Sequence, residues 1–295
     1  SRRARKPSWP RRGTTTEPAR SDAAPAMKAL ATTTVLRWTA DEPSRKDEDL
    51  IAREVPVALT VNRRSHVVMM ATPLDLEAFA LGFCLTEGLL SDRKELLSVS
   101  AITLEEGLEL ALTVTEAAAE RVAGLRRNHT GRTGCGLCGA ESLEQAVRRP
   151  PALTRTLELT PEAVQAALVG LSSRQPLQAA AGAVHAAAWC ASDGKIRQVK
   201  EDVGRHNALD KLVGQLALDG QCARDGFVLV SSRASYEMVL KTAFSGVEAL
   251  VAVSAPTSLA IELARDCGLT LVGFARPGRH NVYAGAERFE TVVAS

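Results

Sequence analysis

The chain has 295 residues, 45% of them hydrophobic and 24% charged, with a net charge of +2; this is ordinary for a globular protein of roughly two domains. The charge is uneven, because residues 1–20 hold Arg2, Arg3, Arg5, Lys6, Arg11, Arg12 and Arg20 against Glu17 alone, leaving the rest at −4. An acidic body poor in aromatics argues against nucleic-acid binding, no apolar run is long enough to span a membrane, and six unevenly spaced cysteines form no disulfide framework, which suits a reducing cytoplasm.

Residues 1–30 read as a basic tail, Arg-, Pro-, Ser- and Thr-rich and without apolar periodicity, and are expected to be disordered. Arg2-Arg3 is followed by no apolar segment, so an export signal is not expected, and Met27 is the expected translation start. Residues 31–125 are predicted as a small α+β domain. Glu54–Val61 and His66–Ala71 make a hairpin around Asn62-Arg63-Arg64-Ser65. Thr72-Pro73 opens a helix with Leu76, Phe79, Ala80 and Phe83 on its apolar face, and Cys84 is a small core residue beside it. Val99–Leu104 and Leu108–Thr113 form a second hairpin, and a short helix over Thr115–Leu125 follows.

Residues 126–148 are predicted as a mobile cysteine loop. Thr133-Gly134-Cys135-Gly136-Leu137-Cys138-Gly139 presents two thiols in a Cys-x-x-Cys spacing, with glycines that disfavour helix and strand. Arg126, Arg127, His129 and Arg132 make the surroundings electropositive, which favours thiolate. A redox dithiol, half of a zinc site and a persulfide carrier are all compatible with this spacing. Zinc is disfavoured, because no second Cys-x-x-Cys and no His-x(3–5)-His pair occurs, although His129 could supply a third ligand. The zinc deaminases' His-x-Glu is also lacking, since Ala186 and Ala187 follow His185.

Residues 149–290 are predicted as an α/β domain, giving a mixed α+β chain overall. Glu141–Val147 is helical just before it, and Arg148-Arg149-Pro150-Pro151 breaks that helix. A capped helix starts at Thr160-Pro161-Glu162 and runs to Leu171. Gly182–Ala191 pairs with Lys195–Lys200 through Ser192-Asp193-Gly194. Asn207–Leu218 is a helix, and Phe227–Val230, Ser235–Phe244, Ala249–Val253, Thr257–Asp266 and Leu269–Phe274 then alternate strand and helix, which implies parallel pairing.

Ligands of such sheets bind beyond the carboxyl ends of the strands, where helix N-termini point. The segments at those ends are Glu201–His206, Ser231–Ser235, Ser254–Ser258 and Phe274–Arg279, all polar and three of them carrying arginine. Their hydroxyls, guanidiniums and N–H groups suit a phosphate-bearing, nucleotide-like ligand. The bland alternatives are that Ser235, Thr257 and Ser258 are helix caps and that His185 is a core residue. His206, in a tight loop after Arg205, is a candidate ligand contact, with Asp202 and Asp210 as orienting partners for these cations.

Glu201–Lys211 (EDVGRHNALDK), Ser232–Lys241 (SRASYEMVLK), Ser254–Leu259 (SAPTSL), Gly82–Gly88 (GFCLTEG) and the Cys-Gly-Leu-Cys-Gly loop together resemble the formate dehydrogenase accessory sulfurtransferase family, the FdhD/NarQ type, from about Val55 to Tyr283. The resemblance implies a cytoplasmic sulfur carrier with a cytidine-deaminase-like C-terminal domain lacking zinc. It would take sulfur from a cysteine desulfurase and pass it to the molybdenum bis(molybdopterin guanine dinucleotide) cofactor, a bound substrate, for the catalytic subunit of formate dehydrogenase. It further implies a homodimer that binds guanine nucleotides such as GDP. Cys135 matches the persulfide-bearing cysteine and Cys138 its companion. Phe274, Ala275, Arg276, Pro277, Gly278 and Arg279 match the stretch assigned to cofactor binding, to which the strand-end reading adds Arg205, His206, Ser232, Arg233, Ser254 and Thr257. The chain departs from the family at Ala181-Gly182-Ala183-Val184, where Thr-Gly-Gly commonly precedes the histidine.

Overall fold

Period-two alternation of buried side chains runs through Val55–Val61 and Leu108–Val114, so each turns one apolar face inward. The computed structural model describes residues 29–127, 148–221 and 225–289. β1 (Leu30–Arg37) and β2 (Arg45–Ala52) pair antiparallel as a separate ribbon. β3 (Val55–Val61), β4 (Arg64–Ala71), β5 (Leu96–Thr103) and β6 (Leu108–Val114) form a four-stranded sheet in the order β4-β3-β6-β5. Val57, Leu59 and Val61 of β3 and Leu108, Leu110, Leu112 and Val114 of β6 face one core with α1 (Leu76–Thr86) and with Ala118 and Val122 of α2 (Glu116–Arg127). The β3–β4 turn is tighter than the sequence predicts, because Asn62 and Arg63 both take left-handed φ (44° and 66°), as a two-residue primed hairpin requires.

The start of α1 corrects the sequence reading. Thr72-Pro73 does not open the helix; Asp75, itself left-handed, is the N-cap and makes no side-chain cap bond. Thr72 is held instead by a distant partner. Its N–H donates to Asp202 Oδ2 (3.0 Å), and its carbonyl accepts from Lys211 Nζ (2.9 Å). Nor does α1 have a single apolar face: Ala78 to Cys84 are all buried, since α1 lies between the four-stranded sheet and α5 (Arg205–Leu218). Gly82 and Gly214 allow the two helices to touch backbone to backbone, and a Cβ at either would overlap Asp210 O or Ala78 O.

The second sheet has six strands, β7 (His185–Ala191), β8 (Ile196–Asp202), β9 (Gly226–Val230), β10 (Ala249–Ala252), β11 (Thr270–Arg276) and β12 (Arg279–Ala284). Their order is β12-β11-β10-β9-β7-β8. β9, β10 and β11 are parallel, as the alternation implies, and the remaining pairs are antiparallel. Trp189, Val228, Val230, Leu250 and Leu271 pack on one face against α5, α6 (Tyr236–Phe244) and α7 (Ser258–Cys267). Ala188, Phe227, Leu229, Val251 and Val272 pack on the other against α3 (Pro161–Ser172). The result is a mixed α/β fold in which the parallel strands carry the near-continuous apolar runs expected of a sheet covered on both faces. The short α4 (Pro176–Ala181) escapes the sequence reading, although Pro176 at its start and left-handed Gly182 at its end are helix signals.

Candidate functional site

Strand register gathers the polar segments on one edge of the six-stranded sheet. His185 opens β7 opposite Asp202 at the end of β8, and Ala187, Val230 and Ala252 lie level across β7, β9 and β10. Beyond that level the chain ends are joined to one another. Ser231 N donates to Ala186 O (3.0 Å), Ser254 N to Ser232 O (3.3 Å), Phe274 N to Ser254 O (3.1 Å) and Thr257 N to Ala234 O (3.1 Å). Glu201–His206, Ser231–Ser235, Ser254–Ser258 and Phe274 therefore share one edge. α5, α6 and α7 all begin there, at Gly204, Ser235 and Thr257, and none of these residues makes a side-chain cap bond. In contrast, Thr160 accepts from Ala163 N (3.1 Å) at the start of α3. Three helix starts without a side-chain cap among the described residues give the edge a positive potential.

Several sequence expectations are corrected here. Arg205 and His206 are not loop residues but the first two residues of α5. His206 Nε2 lies 2.9 Å from Glu237 Oε2 in the first turn of α6, and Arg205 Nε is enclosed without a hydrogen-bond partner among the described residues. Asp202 and Asp210 do not orient these cations. Asp202 pairs with Lys211 at 2.7 Å, both fully buried, and also accepts from Gly204 N and Asn207 Nδ2. Asp210 accepts from Lys241 Nζ (3.0 Å) and from Thr86 Oγ1 (2.6 Å).

Phe274–Arg279 is a hairpin rather than a loop, formed by the end of β11, a turn at Pro277-Gly278 and the start of β12. Ala275 turns into the core beneath α3, while Phe274, Arg276, Pro277, Gly278 and Arg279 are exposed. Gln165 of α3 holds the turn: its Oε1 accepts from Gly278 N (2.7 Å), and its Nε2 meets His280 Nδ1 at 3.2 Å. Phe274 has a left-handed φ of 50° and is 44% exposed, a backbone conformation costing about 1–3 kcal/mol for a non-glycine residue.

The remaining hydroxyls differ in their engagement. Ser232 is buried and donates to Arg233 O, whereas Ser254 and Thr257 are half-buried. The side chains of Arg205, Arg233, Arg276 and Arg279 make no hydrogen bond or ion pair with the described residues. His185 is the site residue that sequence reasoning misjudged. It is a half-buried edge residue, and burial, Arg205 and His206 lower its pKa against the pull of Asp202, so it is neutral near pH 7. Its position at the first residue of a strand, three after Gly182, was the available signal.

Cys135 and Cys138 lie outside the described residues, as do His129, Arg132 and the helix predicted over 141–147. The described cysteines, Cys84, Cys190 and Cys267, are all buried. Burial pushes each thiol up, Cys84 to about 12, so none is a nucleophile at neutral pH. Arg148 is held on every side. Its N–H donates to Tyr236 Oη (2.6 Å) and its carbonyl accepts from the same hydroxyl (2.8 Å). Its guanidinium bonds Glu87 Oε2 (2.8 Å) and Glu87 O (2.7 Å) and lies 4.8 Å from the Phe244 ring centre. Tyr236 is the first residue of α6, so Arg148 is tied to a helix start on the edge.

Comparison with known proteins agrees with this architecture. The FdhD/NarQ family model matches residues 52–290. The sulfur carrier protein FdhD of Cupriavidus necator is 50% identical over 260 residues, covering 88% of this chain and 90% of its own. The protein of the same name from Variovorax paradoxus is 53% identical over 230 residues, covering 78% and 83%. The crystal structure of a candidate formate dehydrogenase accessory protein from Desulfotalea psychrophila shares the fold, with a TM-score of 0.68 at 23% identity over 89% of this chain and 100% of that one. With the family pattern matched over most of its length and about half of its aligned residues shared with such relatives, the chain belongs to the FdhD/NarQ family.

Proposed function

We propose that the chain is a sulfur carrier in the maturation of formate dehydrogenase. The Cys135 thiolate attacks the terminal sulfur of a cysteine desulfurase persulfide. A new S–S bond forms, the old one breaks and the desulfurase thiolate leaves, so the transfer needs no external electrons. The carried sulfur is then handed to the molybdenum bis(molybdopterin guanine dinucleotide) cofactor, which is substrate here, on its way to the dehydrogenase catalytic subunit. Cys138 has an auxiliary role. The setting is cytoplasmic and the working form a homodimer, and α3 facing α5–α7 across a mixed sheet is in keeping with a deaminase-like C-terminal domain.

One observation carries this reading: an edge with three helix starts that lack a side-chain cap and four guanidiniums unpaired among the described residues, where Arg148, ten residues after Cys138 in sequence, is tied to Tyr236 at one of those starts. Such an edge suits the phosphates of a guanine nucleotide, with GDP as a convenient mimic of the cofactor's arms. The buried thiols of Cys84, Cys190 and Cys267 support an assignment of the sulfur chemistry elsewhere in the chain.

The test is intact-mass analysis after incubation with a cysteine desulfurase and free cysteine. One added sulfur is expected on the wild type and none on Cys135→Ala. The same variant should fail to activate the dehydrogenase; full activation by it would instead support a chaperone that only holds the cofactor.

A further inference from the structure

β1 and β2 stand apart from the rest of the packing. None of their side chains belongs to the three apolar cores of the described residues, and of the two strands it is β2 that packs on another element, the short α4. A two-stranded ribbon by itself is marginally stable in water, yet this one leaves Leu36, Trp38 and Leu50 70%, 73% and 44% exposed. Opposed residues project to the same face. The pairing of Thr32 with Leu50 and of Leu36 with Lys46 therefore puts all three on one face.

The two edges of the ribbon differ. Arg53 N donates to Ala29 O (2.7 Å), and hydrogen-bonded and non-bonded pairs alternate along an antiparallel ladder. Ala31, Thr33 and Val35 thus bond β2, while Leu30, Thr32, Thr34 and Leu36 turn their N–H and C=O groups to the outer edge, which pairs with no strand among the described residues. That edge runs from Ala29 to Leu36 without a charge, a proline or a bulge, the devices that normally blunt an open strand. The outer edge of β2 is blunted in that way, by the run Arg45-Lys46-Asp47-Glu48-Asp49.

We propose that the outer edge of β1 pairs antiparallel with β1 of a second copy of this chain, joining two ribbons into one four-stranded sheet, β2-β1-β1-β2, across a twofold axis. What selects a second copy is that the strand is its own complement. With Thr34 on the axis, Thr32 falls opposite the partner's Leu36 and Leu30 opposite the partner's Trp38, so each copy's exposed apolar side chains lie on the face that carries the other's Leu30 and Leu50. No like charges meet, because Arg37 falls opposite Ala31 and is already held by Asp47 in its own ribbon (2.8 Å). The contact is isologous and closes on itself, which makes a dimer and not a fibre. The proposal rests on the reading of the working form as a homodimer and adds the surface that builds it. The FdhD/NarQ pattern begins at residue 52, the last of β2, so this arm lies outside the pattern.

Sedimentation of the full chain over a concentration series tests the interface. Thr34→Pro removes an N–H that points to the outer edge, so the β1–β2 ladder stays whole, as edge strands allow. The wild type should be a dimer, and Thr34→Pro a monomer that still gains one sulfur on Cys135 from the desulfurase. Trp38→Ala should raise the dimer dissociation constant roughly tenfold or more, as for an aromatic anchor. Glu48→Pro makes the same change on the outer edge of β2 and should leave the dimer intact. A dimer retained in Thr34→Pro, or lost equally in Glu48→Pro, overturns the β1 interface and leaves the homodimer reading standing. A wild type that is monomeric across the whole series overturns both.

Discussion

Two polar regions lie side by side in this molecule and treat charge in opposite ways. At the junction of α1, α5 and α6 every buried charge has a partner: Asp202 with Lys211, and Asp210 with Lys241, which also reaches Glu87 at 2.9 Å. Burial pulls the Lys241 pKa down, but Asp210 and Glu87 more than offset it and keep the ammonium charged. A few residues away, on the strand-end edge, Arg205, Arg233, Arg276 and Arg279 have no such partners among the described residues. Buried ions must be paired because desolvation is too costly otherwise, whereas cations that keep solvent access, wholly or in part, can wait for a ligand. Charge at the junction thus serves the fold, and charge on the edge serves binding.

Breaking a junction pair should have the largest effect on stability. Lys211→Met leaves Asp202 fully buried and uncompensated, which costs about 3–5 kcal/mol. Thr72 would also lose the donor to its carbonyl, loosening the segment before α1. The expected outcome in urea denaturation is a much lower midpoint, with partial recovery in Asp202→Asn/Lys211→Met. An unchanged midpoint in Lys211→Met would show that the pair does not hold the junction.

The edge arginines should behave in the opposite manner. Arg276→Ala and Arg279→Ala remove exposed side chains without partners among the described residues, so stability should change by less than about 0.5 kcal/mol in thermal denaturation. GDP affinity should fall roughly tenfold or more if either guanidinium meets a phosphate, with loading of Cys135 intact. Calorimetry showing unchanged affinity in both variants would move the ligand away from the hairpin.

The same division governs what was legible in the sequence. The β9–α6–β10–α7–β11 alternation is readable because each element is a short apolar run with its own stop signal, and the Ser192-Asp193-Gly194 hairpin because left-handed Gly194 marks the turn. The strand-end loops follow from that topology alone. What escapes is whatever a distant residue decides. Thr72 looks like a helix start until Asp202 and Lys211, more than a hundred residues away, claim its backbone. Asp202 and Asp210 look like partners for nearby Arg205 and His206, but helical spacing and the α1 crossing deliver them to Lys211 and Lys241 instead. Ala275 reads as part of a binding loop until the β11–β12 bulge turns it inward.

The smallest effect offers the sharpest comparison, because it sets two caps of similar chemistry against each other. Thr160 accepts a hydrogen bond from Ala163 N at the start of α3, so Thr160→Ala should cost about 1 kcal/mol, the usual value of a lost N-cap. Thr257 occupies the same position on α7 but makes no such bond, so Thr257→Ala should leave the denaturation midpoint within about 0.5 kcal/mol of the wild type. With GDP present the order should reverse, since ligand binding stabilises in proportion to its affinity: Thr160→Ala should keep the full ligand-induced rise in midpoint, and Thr257→Ala should lose part of it. Equal costs for the two substitutions without ligand would mean that the edge threonine caps its helix in solution after all, and that the free helix starts are not reserved for a ligand.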